Sequence, residues 1–384
     1  MIGGGMAADA AVRGIRELDQ NGSVALISAE PDPPYARPPL SKGLWKGRPI
    51  EKIWRNTEAL GVDLYLDRRA NQLHHRTRTV SDDRGDEYRY ESLLLATGGT
   101  PKRLESAQGG TIYYRTLQDY RNLRELSDGR QRFIVIGAGF IGSEIAAALC
   151  MLDKDVTMVF REEAIGSKVY PKELAGFVGQ YYEDKGVHVI ANESVANLME
   201  RDGRFTLWTQ GGLELQADAV VAGIGIQPNV QLARQAGLEV GDGILVDEHL
   251  RTSEPDIYSA GDAANFRHSA LEMRMRVEHE DNALKMGQTA GRNMAGANEP
   301  YTHVPMFYSD LFDLGYEAVG ELNSGLETVA DWQEPFQKGT IYYLGQGRVR
   351  GVLLWNVWSK VDAARELLRQ PGPFTEADLM GRIT

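Results

Sequence analysis

Along this chain the apolar and polar positions twice form one repeated unit: an apolar run, a glycine turn, then an alanine-rich helical stretch. The fuller copy begins at Phe133-Ile-Val-Ile, whose β-branched residues predict a buried strand. It enters Gly137-Ala-Gly139-Phe140-Ile141-Gly142 and continues as a helical pattern through Glu144 to Leu149. Each glycine answers a steric demand. Gly137 allows the tight turn, Gly139 lets a pyrophosphate approach the backbone, and Gly142 lets the helix pack on the strand. The helix N-terminus then offers unpaired N–H groups and a partial positive charge to phosphates. A second β-branched strand, Val156-Thr-Met-Val159, is followed by Glu162 and Glu163, where a ribose-binding acid is expected.

The other copy opens the chain as Met1-Ile-Gly3-Gly-Gly5-Met-Ala-Ala8, with Ala8 in the close-packing place. A helix is predicted from Ala7 to Leu18, then a strand from Ser23 to Ser28, with Glu30 as the ribose acid of this unit. Only Met1 and Ile2 precede the glycines, against about five or six residues in a usual strand. The first strand is therefore expected to be nearly absent: either the sequence begins inside it or the fold has lost most of it. Two such cradles predict two dinucleotides held face to face, and a flavin with a nicotinamide cofactor is the natural pair. Elsewhere the patterning predicts a helix and β-hairpin between Glu58 and the His74-His75 pair, and an amphipathic helix from Lys172 to Gly186. It also predicts a helix beginning in Val277-Glu278-His279-Glu280-Asp281-Asn282 and running to Met294. The C-terminal region reads as antiparallel strands, among them 340–344 and 349–355, closed by a helix at 360–369, with Trp355 and Trp358 in its core.

Composition narrows the chemistry. At 384 residues, with 42% hydrophobic and 25% charged positions, the chain is an ordinary globular protein of two or three domains. A formal net charge of −12 argues against nucleic acid as a partner and against a polybasic membrane anchor. A single cysteine, Cys150, read as a buried helix residue, excludes a redox-active disulfide, a thiolate zinc site and an iron–sulfur cluster. Any redox chemistry must then be carried by bound cofactors. The acids at 278–281 lack a second histidine at helical spacing, and the His74-His75 pair lacks further ligands, so no metal site is expected. With neither a leader pattern nor a long uncharged apolar run in view, no integral membrane span is expected and a cytoplasmic location is the expectation.

The run Tyr35-Ala-Arg37-Pro-Pro-Leu-Ser-Lys42 resembles the flavin-contacting loop of the family of FAD-dependent pyridine-nucleotide oxidoreductases that holds apoptosis-inducing factor and the bacterial ferredoxin and rubredoxin reductases. Further likenesses run almost end to end: Leu93-Leu-Leu-Ala96-Thr97-Gly98-Gly99, Ala222-Gly-Ile-Gly225-Ile-Gln-Pro228-Asn229 and Ser259-Ala-Gly261-Asp262-Ala263. The resemblance implies an α/β protein of the glutathione-reductase fold, with two Rossmann-like dinucleotide-binding domains and a C-terminal α+β domain. It places an FAD domain at 1–108 and 231–303, an NAD(P)H domain at 109–230 and the C-terminal domain at 304–384. It implies that Gly3, Gly5, Ala8, Glu30, Arg37, Lys42, Ala96, Thr97, Gly98, Gly261, Asp262, Glu278, His279 and Tyr308 hold FAD. For the nicotinamide nucleotide it implies Gly137, Gly139, Phe140, Ile141, Gly142, Glu144, Glu162 and Gly225.

Hydride transfer is a positioning task, so the catalytic candidates are residues that place rings and charges: Phe140 against the nicotinamide and, as the resemblance implies, a Lys42–Glu144 ion pair and His279 near the flavin. The run Phe307-Tyr308-Ser309-Asp310 and the later Gly315-Tyr316-Glu317-Ala318-Val-Gly320 resemble apoptosis-inducing factor more than the ferredoxin reductases, although Tyr308 stands where the family has tryptophan. Glu162 favours NADH, while Arg161 beside it suits a 2′-phosphate, so NADPH is the lesser expectation. The function expected is an oxidoreductase of the apoptosis-inducing-factor type, passing hydride from NADH to FAD and then to an unidentified acceptor: a small quinone, oxygen or a redox protein. Two alternatives stand beside it: a ferredoxin or rubredoxin reductase, and an NADH-responsive redox sensor that forms a stable reduced-flavin–NAD complex. A homodimer is compatible with all three.

Overall fold

The computed structural model describes residues 1–383, and at Gln108 the backbone alone. It divides into two compact units. The first comprises Met1–Arg37, Pro49–Thr100 and Gln227–Phe307, the second Pro38–Arg48, Pro101–Ile226 and Tyr308–Thr384.

In the first unit the short opening run finds a place in a parallel sheet. Ile2 bridges Ile27 on one side and Leu95 on the other, both in parallel. Its N–H donates to Leu94 O and that of Gly3 to Ile27 O, each at 2.8 Å. Strand Ala25–Ile27 pairs onward with Asp63–Tyr65, and Leu93–Leu95 with Ile257–Ser259, all parallel. Residues 1–3 thus fill the central position with a single bridging residue. The helix Met6–Leu18 packs against Glu280–Met294. Their contact is closer than side chains would permit: a Cβ on Gly287 would lie 2.2 Å from Ala7 O, and one on Gly291 2.0 Å from Ala11 O. Ala8, Ala11, Val12, Leu26, Leu94, Met286 and Ala290 form the buried core around this contact. Strands Ala70–His74, Thr79–Asp82 and Glu87–Arg89 add an antiparallel sheet, with His74 exposed at the end of its strand.

The second unit holds a parallel sheet in the order His188–Ile190, Asp155–Val159, Arg132–Ile136, Ala219–Ala222 and Ile112–Tyr113. Arg132–Ile136 is central and its residues from Phe133 onward are buried, as the unbroken apolar run requires of a strand covered on both faces. The helix Lys172–Asp184 keeps the predicted place. The C-terminal sheet contains Leu314–Gly320, Arg348–Trp355, Lys338–Gly345 and Glu327–Glu334 as antiparallel neighbours, with helix Val361–Arg369 packed on the first two. Trp355 is fully buried, but Trp358 is 49% exposed, so only the first tryptophan is core. Trp358 lies in the short connection between the last strand and that helix, and its ring lies beside Gly315 rather than under the sheet. Cys150 ends its helix half-buried, its Sγ donating to Lys185 O at 3.1 Å, and burial pushes the thiol up.

Segment 38–48, drawn from sequence as part of the FAD region, joins the second unit. Leu40 O accepts from Trp45 Nε1 at 2.7 Å and from the Tyr114 hydroxyl, which ties the prolines of this segment to the strand entering helix Leu117–Gly129. Among the described residues no helix is long and apolar enough to cross a membrane, and no group of three or more His, Cys, Asp or Glu side chains is arranged to hold a metal ion.

The tight helix contact gives a test in which two magnitudes oppose each other. Alanine is favoured over glycine inside a helix by about 1 kcal/mol, whereas overpacking costs about 1–3 kcal/mol. With backbone as the obstacle at Gly291, the clash wins. Gly291→Ala is expected to lower the urea midpoint of the protein; a raised midpoint would show that the two helices can part without cost.

Candidate functional site

Both glycine turns have the shape that a dinucleotide phosphate needs. In the first unit Gly3 has φ +115°, and a Cβ there would strike Ala96 O at 2.0 Å. Gly5, the N-cap of helix Met6–Leu18, has nothing within 4 Å of its Cβ position. In the second unit Gly137 has φ +104° and faces Gly223 O, and a Cβ on Gly142 would lie 2.1 Å from Gly137 O. Gly139, the N-cap of helix Phe140–Cys150, again has open space above it. So in each turn crowding requires glycine, at Gly3 in the first and at Gly137 and Gly142 in the second, and the glycine at the helix N-terminus faces a cradle that a side chain would fill. Helix amides there suit an anion.

Around the first cradle, Ala8 is fully buried and Ala96 buried. Gly261 lies against Ala7, and Asp262 follows it in the turn Gly261–Ala263 with its side chain only partly covered. Thr97 Oγ1 donates to Asn229 O at 2.6 Å, Asn229 Nδ2 returns a bond to Thr97 O at 2.9 Å, and Gly98 completes the turn at φ +62°. Glu30 accepts from the Tyr35 hydroxyl at 2.6 Å and forms an ion pair with Arg37. Burial opposes the charge of Arg37, but Tyr35, Glu30 and Asp262 together raise its pKa.

Near the second cradle, Phe140 is partly covered and Ile141 is 38% exposed. Gly225 sits at φ +91° with nothing near its Cβ position. Burial works to raise the Glu162 carboxyl, yet the bond from Lys168 Nζ at 2.6 Å brings it below its ordinary value. Arg161 is exposed beside it.

The same unit contains a buried carboxylate with three donors. Glu144 is 3% exposed and lies in the first half of the fingerprint helix. Its Oε2 accepts from Lys42 Nζ at 2.7 Å and from Ser41 Oγ at 2.5 Å, while Oε1 accepts from Ser309 Oγ at 2.6 Å. Lys42 Nζ also sits 5.1 Å from the centroid of the Tyr308 ring, within cation–π range. The Lys42–Glu144 pair is therefore present, with the carboxylate bonded through both oxygens. Sequence reasoning missed Ser41 and Ser309, because a hydroxyl flanking a motif carries no charge or periodicity that marks it.

In the first unit His279 caps helix Glu280–Met294 and stacks on Phe307 with centroids 4.4 Å apart and planes 11° from parallel. Glu278 points to Arg276, which also pairs with Asp242 at 3.1 Å. Phe307 lies in the run that resembles the family's C-terminal motif, yet only the fold brings it back beside His279.

The model of the family described as "Pyridine nucleotide-disulphide oxidoreductase" matches residues 1–287. The chain belongs to this family. A second model, the mitochondrion-associated C-terminal region of apoptosis-inducing factor, matches residues 290–335 and 330–370. Among relatives, a mitochondrial apoptosis-inducing factor 1 of Dictyostelium discoideum is 33% identical, over 96% of this chain and 77% of its own length. The ferredoxin reductase subunit of a 5,5'-dehydrodivanillate O-demethylase from Sphingobium sp. (strain NBRC 103272 / SYK-6) is also 33% identical, over 91% and 87%. Among solved structures, a covalent putidaredoxin reductase–putidaredoxin complex matches with a TM-score of 0.90 and 27% identity, over 96% of this chain and 92% of that one.

This pyridine nucleotide-disulphide oxidoreductase is thus related to apoptosis-inducing factor and to the ferredoxin and rubredoxin reductases. It has the α/β FAD- and NAD(P)-binding fold of that group with an added C-terminal domain. It is an FAD- and NAD(P)H-dependent oxidoreductase that transfers electrons to an external acceptor. The expected cytoplasmic location is overturned. The Dictyostelium relative and one from Drosophila melanogaster, 30% identical over 100% of this chain and 64% of its own length, are both named as mitochondrial. A leader pattern not seen in the sequence is no guide to compartment here.

The Glu144 cluster predicts an asymmetric response. Removing the carboxylate strands Lys42 in a mostly covered position, and breaking such a pair costs on the order of 3 kcal/mol. Glu144→Ala is expected to lower the thermal midpoint of the purified protein clearly, whereas Ser309→Ala, which removes one of three donors, costs about 1 kcal/mol. Equal midpoints for wild type and Glu144→Ala would mean that the cluster stabilises nothing.

Proposed function

We propose that this chain is an NADH-dependent reductase of a small redox protein of the ferredoxin or rubredoxin kind. The observation that carries this reading is the match to putidaredoxin reductase, solved in covalent complex with putidaredoxin, over nearly the full length of both chains. The curated ferredoxin reductase relative is covered to a similar extent. The single cysteine agrees, since a chain without a thiol pair needs its electrons taken away by something else.

FAD, when bound, would take hydride from NADH and pass electrons on to the carrier. The residues divide that work. Gly3, Gly5, Ala8 and Gly261 would leave room for the FAD phosphates, Glu30 would take its adenine ribose, and Asp262 its ribityl chain. Arg37, Ala96, Thr97, Gly98, Glu278, His279, Lys42 and Tyr308 are assigned to the flavin as well. Gly137, Gly139, Ile141, Gly142 and Gly225 would shape the nicotinamide nucleotide site, with Phe140 against the nicotinamide and Glu144 fixing Lys42. Glu162 would accept from the adenine ribose hydroxyls, which favours NADH over NADPH. These groups bind and orient; none of them needs to move a proton.

A second reading keeps a specific observation in its favour. The match to the C-terminal region of apoptosis-inducing factor supports a redox protein of that type; as an NADH-responsive sensor it would form a stable reduced-flavin–NAD complex that alters its association state. Steady-state turnover separates the two. A ferredoxin or rubredoxin reductase is expected to use such a carrier at least about tenfold more efficiently than a small quinone or oxygen, a difference of about 1.4 kcal/mol. Equal use of all acceptors, with a change of size on NADH reduction in light scattering, would favour the second reading.

Glu162→Ala is expected to raise the Michaelis constant for NADH about tenfold, as loss of a hydrogen bond to a charged group implies, with turnover nearly unchanged. An unaltered constant would remove Glu162 from the ribose site.

A further inference from the structure

Residues 299–307 run along helix Glu280–Met294 and are fastened to it in antiparallel order. Arg292 binds the Glu299 carboxylate through Nε at 2.9 Å and Nη2 at 2.6 Å, and Asn293 exchanges bonds with the Glu299 backbone at 2.8 and 2.6 Å. The Tyr301 hydroxyl then donates to Asn282 Oδ1 at 2.9 Å, in a fully buried position. Asp281 follows: its Oδ2 lies 2.6 Å from His303 Nε2 and accepts the Met306 N–H at 3.0 Å. The last contact is the ring of Phe307 on His279.

That last contact does not determine itself. Aromatic rings are comparably stable offset-stacked or edge-on, and apolar attraction has no direction, so the two rings alone would not choose one near-parallel pose. The neighbouring bonds do choose it. Asp281 lies two residues beyond His279, and it holds the backbone N–H one residue before Phe307. A carboxylate in the first helical turn is also favoured by the helix dipole, and the imidazole of His303 gives it a second fixed partner. One oxygen atom, two residues beyond His279, therefore ties the segment that ends in Phe307 to the start of this helix.

We propose that Asp281 is a positioning residue of the oxidoreductase, which keeps Phe307 stacked on His279 through its bonds to Met306 and His303. The inference rests on the assignment of His279 to the flavin. Asp281 touches no reacting atom; it acts by fixing rings that do the placing, and small displacements of such groups are costly in rate.

The test uses the full chain containing FAD, with NADH as donor and ferricyanide as acceptor, so that the identity of the natural carrier does not enter. Asp281→Ala is expected to lower turnover per bound flavin roughly tenfold, to leave the Michaelis constant for NADH within about twofold, and to shift the visible flavin band. Asp281→Asn keeps an oxygen for the Met306 N–H and is expected to recover at least half of the wild-type turnover. His303→Gln, which retains an N–H donor in place of the imidazole, is expected to fall between the two. If Asp281→Ala instead loses flavin content and thermal stability while turnover per bound flavin stays at the wild-type value, Asp281 is structural only and the proposal is overturned. A wild type that takes up no FAD overturns this proposal and the flavin assignment together. Poor activity with ferredoxins leaves the ferricyanide comparison intact and counts against the choice of acceptor alone.

Discussion

A buried carboxylate is tolerated only when its lone pairs are met, and Glu144 gathers the second unit around that requirement. Its three donors come from two separate parts of the chain, Ser41 and Lys42 in one and Ser309 in the other, while the acid itself belongs to the fingerprint helix. Neither Lys42 nor the fingerprint helix can shift without stranding a charge, and an unpaired buried charge costs several kcal/mol, a large part of a domain's stability. This explains why the proline-rich segment 38–48 packs in the second unit, although its sequence neighbours lie in the first. It also fixes the ammonium group of Lys42 and the ring of Tyr308 beside it.

The two glycine cradles show a shared solution reached with unequal means. The second is preceded by a full strand, Arg132–Ile136. The first is preceded by Met1 and Ile2, yet parallel bonds from Ile2 and Gly3 to both neighbours hold the turn in the same way. What holds the turn is its anchoring on both sides and the crowding at Gly3 that only glycine accommodates. With no thiol pair in the chain, the protein's own share of the redox work is to bind, orient and shield.

Much of this was legible in the residues. Glycine spacing, the apolar runs before it and the acids after it follow from local sterics and period, so both cradles, the α/β class and most helices could be read directly. The motifs quoted for the family also pointed to the oxidoreductase group. Between its members the sequence leaned towards apoptosis-inducing factor, on the C-terminal run around Tyr308. The likeness over whole folds supports the ferredoxin and rubredoxin reductases at least as well. Compartment was misjudged, because an absent pattern was read as a location.

The sequence by itself therefore determined where phosphates can be cradled and which chemistry sulfur cannot supply, since both depend on residues close together in the chain. Only the tertiary structure decided which hydroxyls meet Glu144, that Trp358 stays exposed while Trp355 is buried, and that Asp281 receives His303 and Met306. Those contacts join positions tens to more than a hundred residues apart. Hydroxyls, amides and single rings carry no periodicity, so their partners are set by how helices and strands pack and cannot be read along the chain.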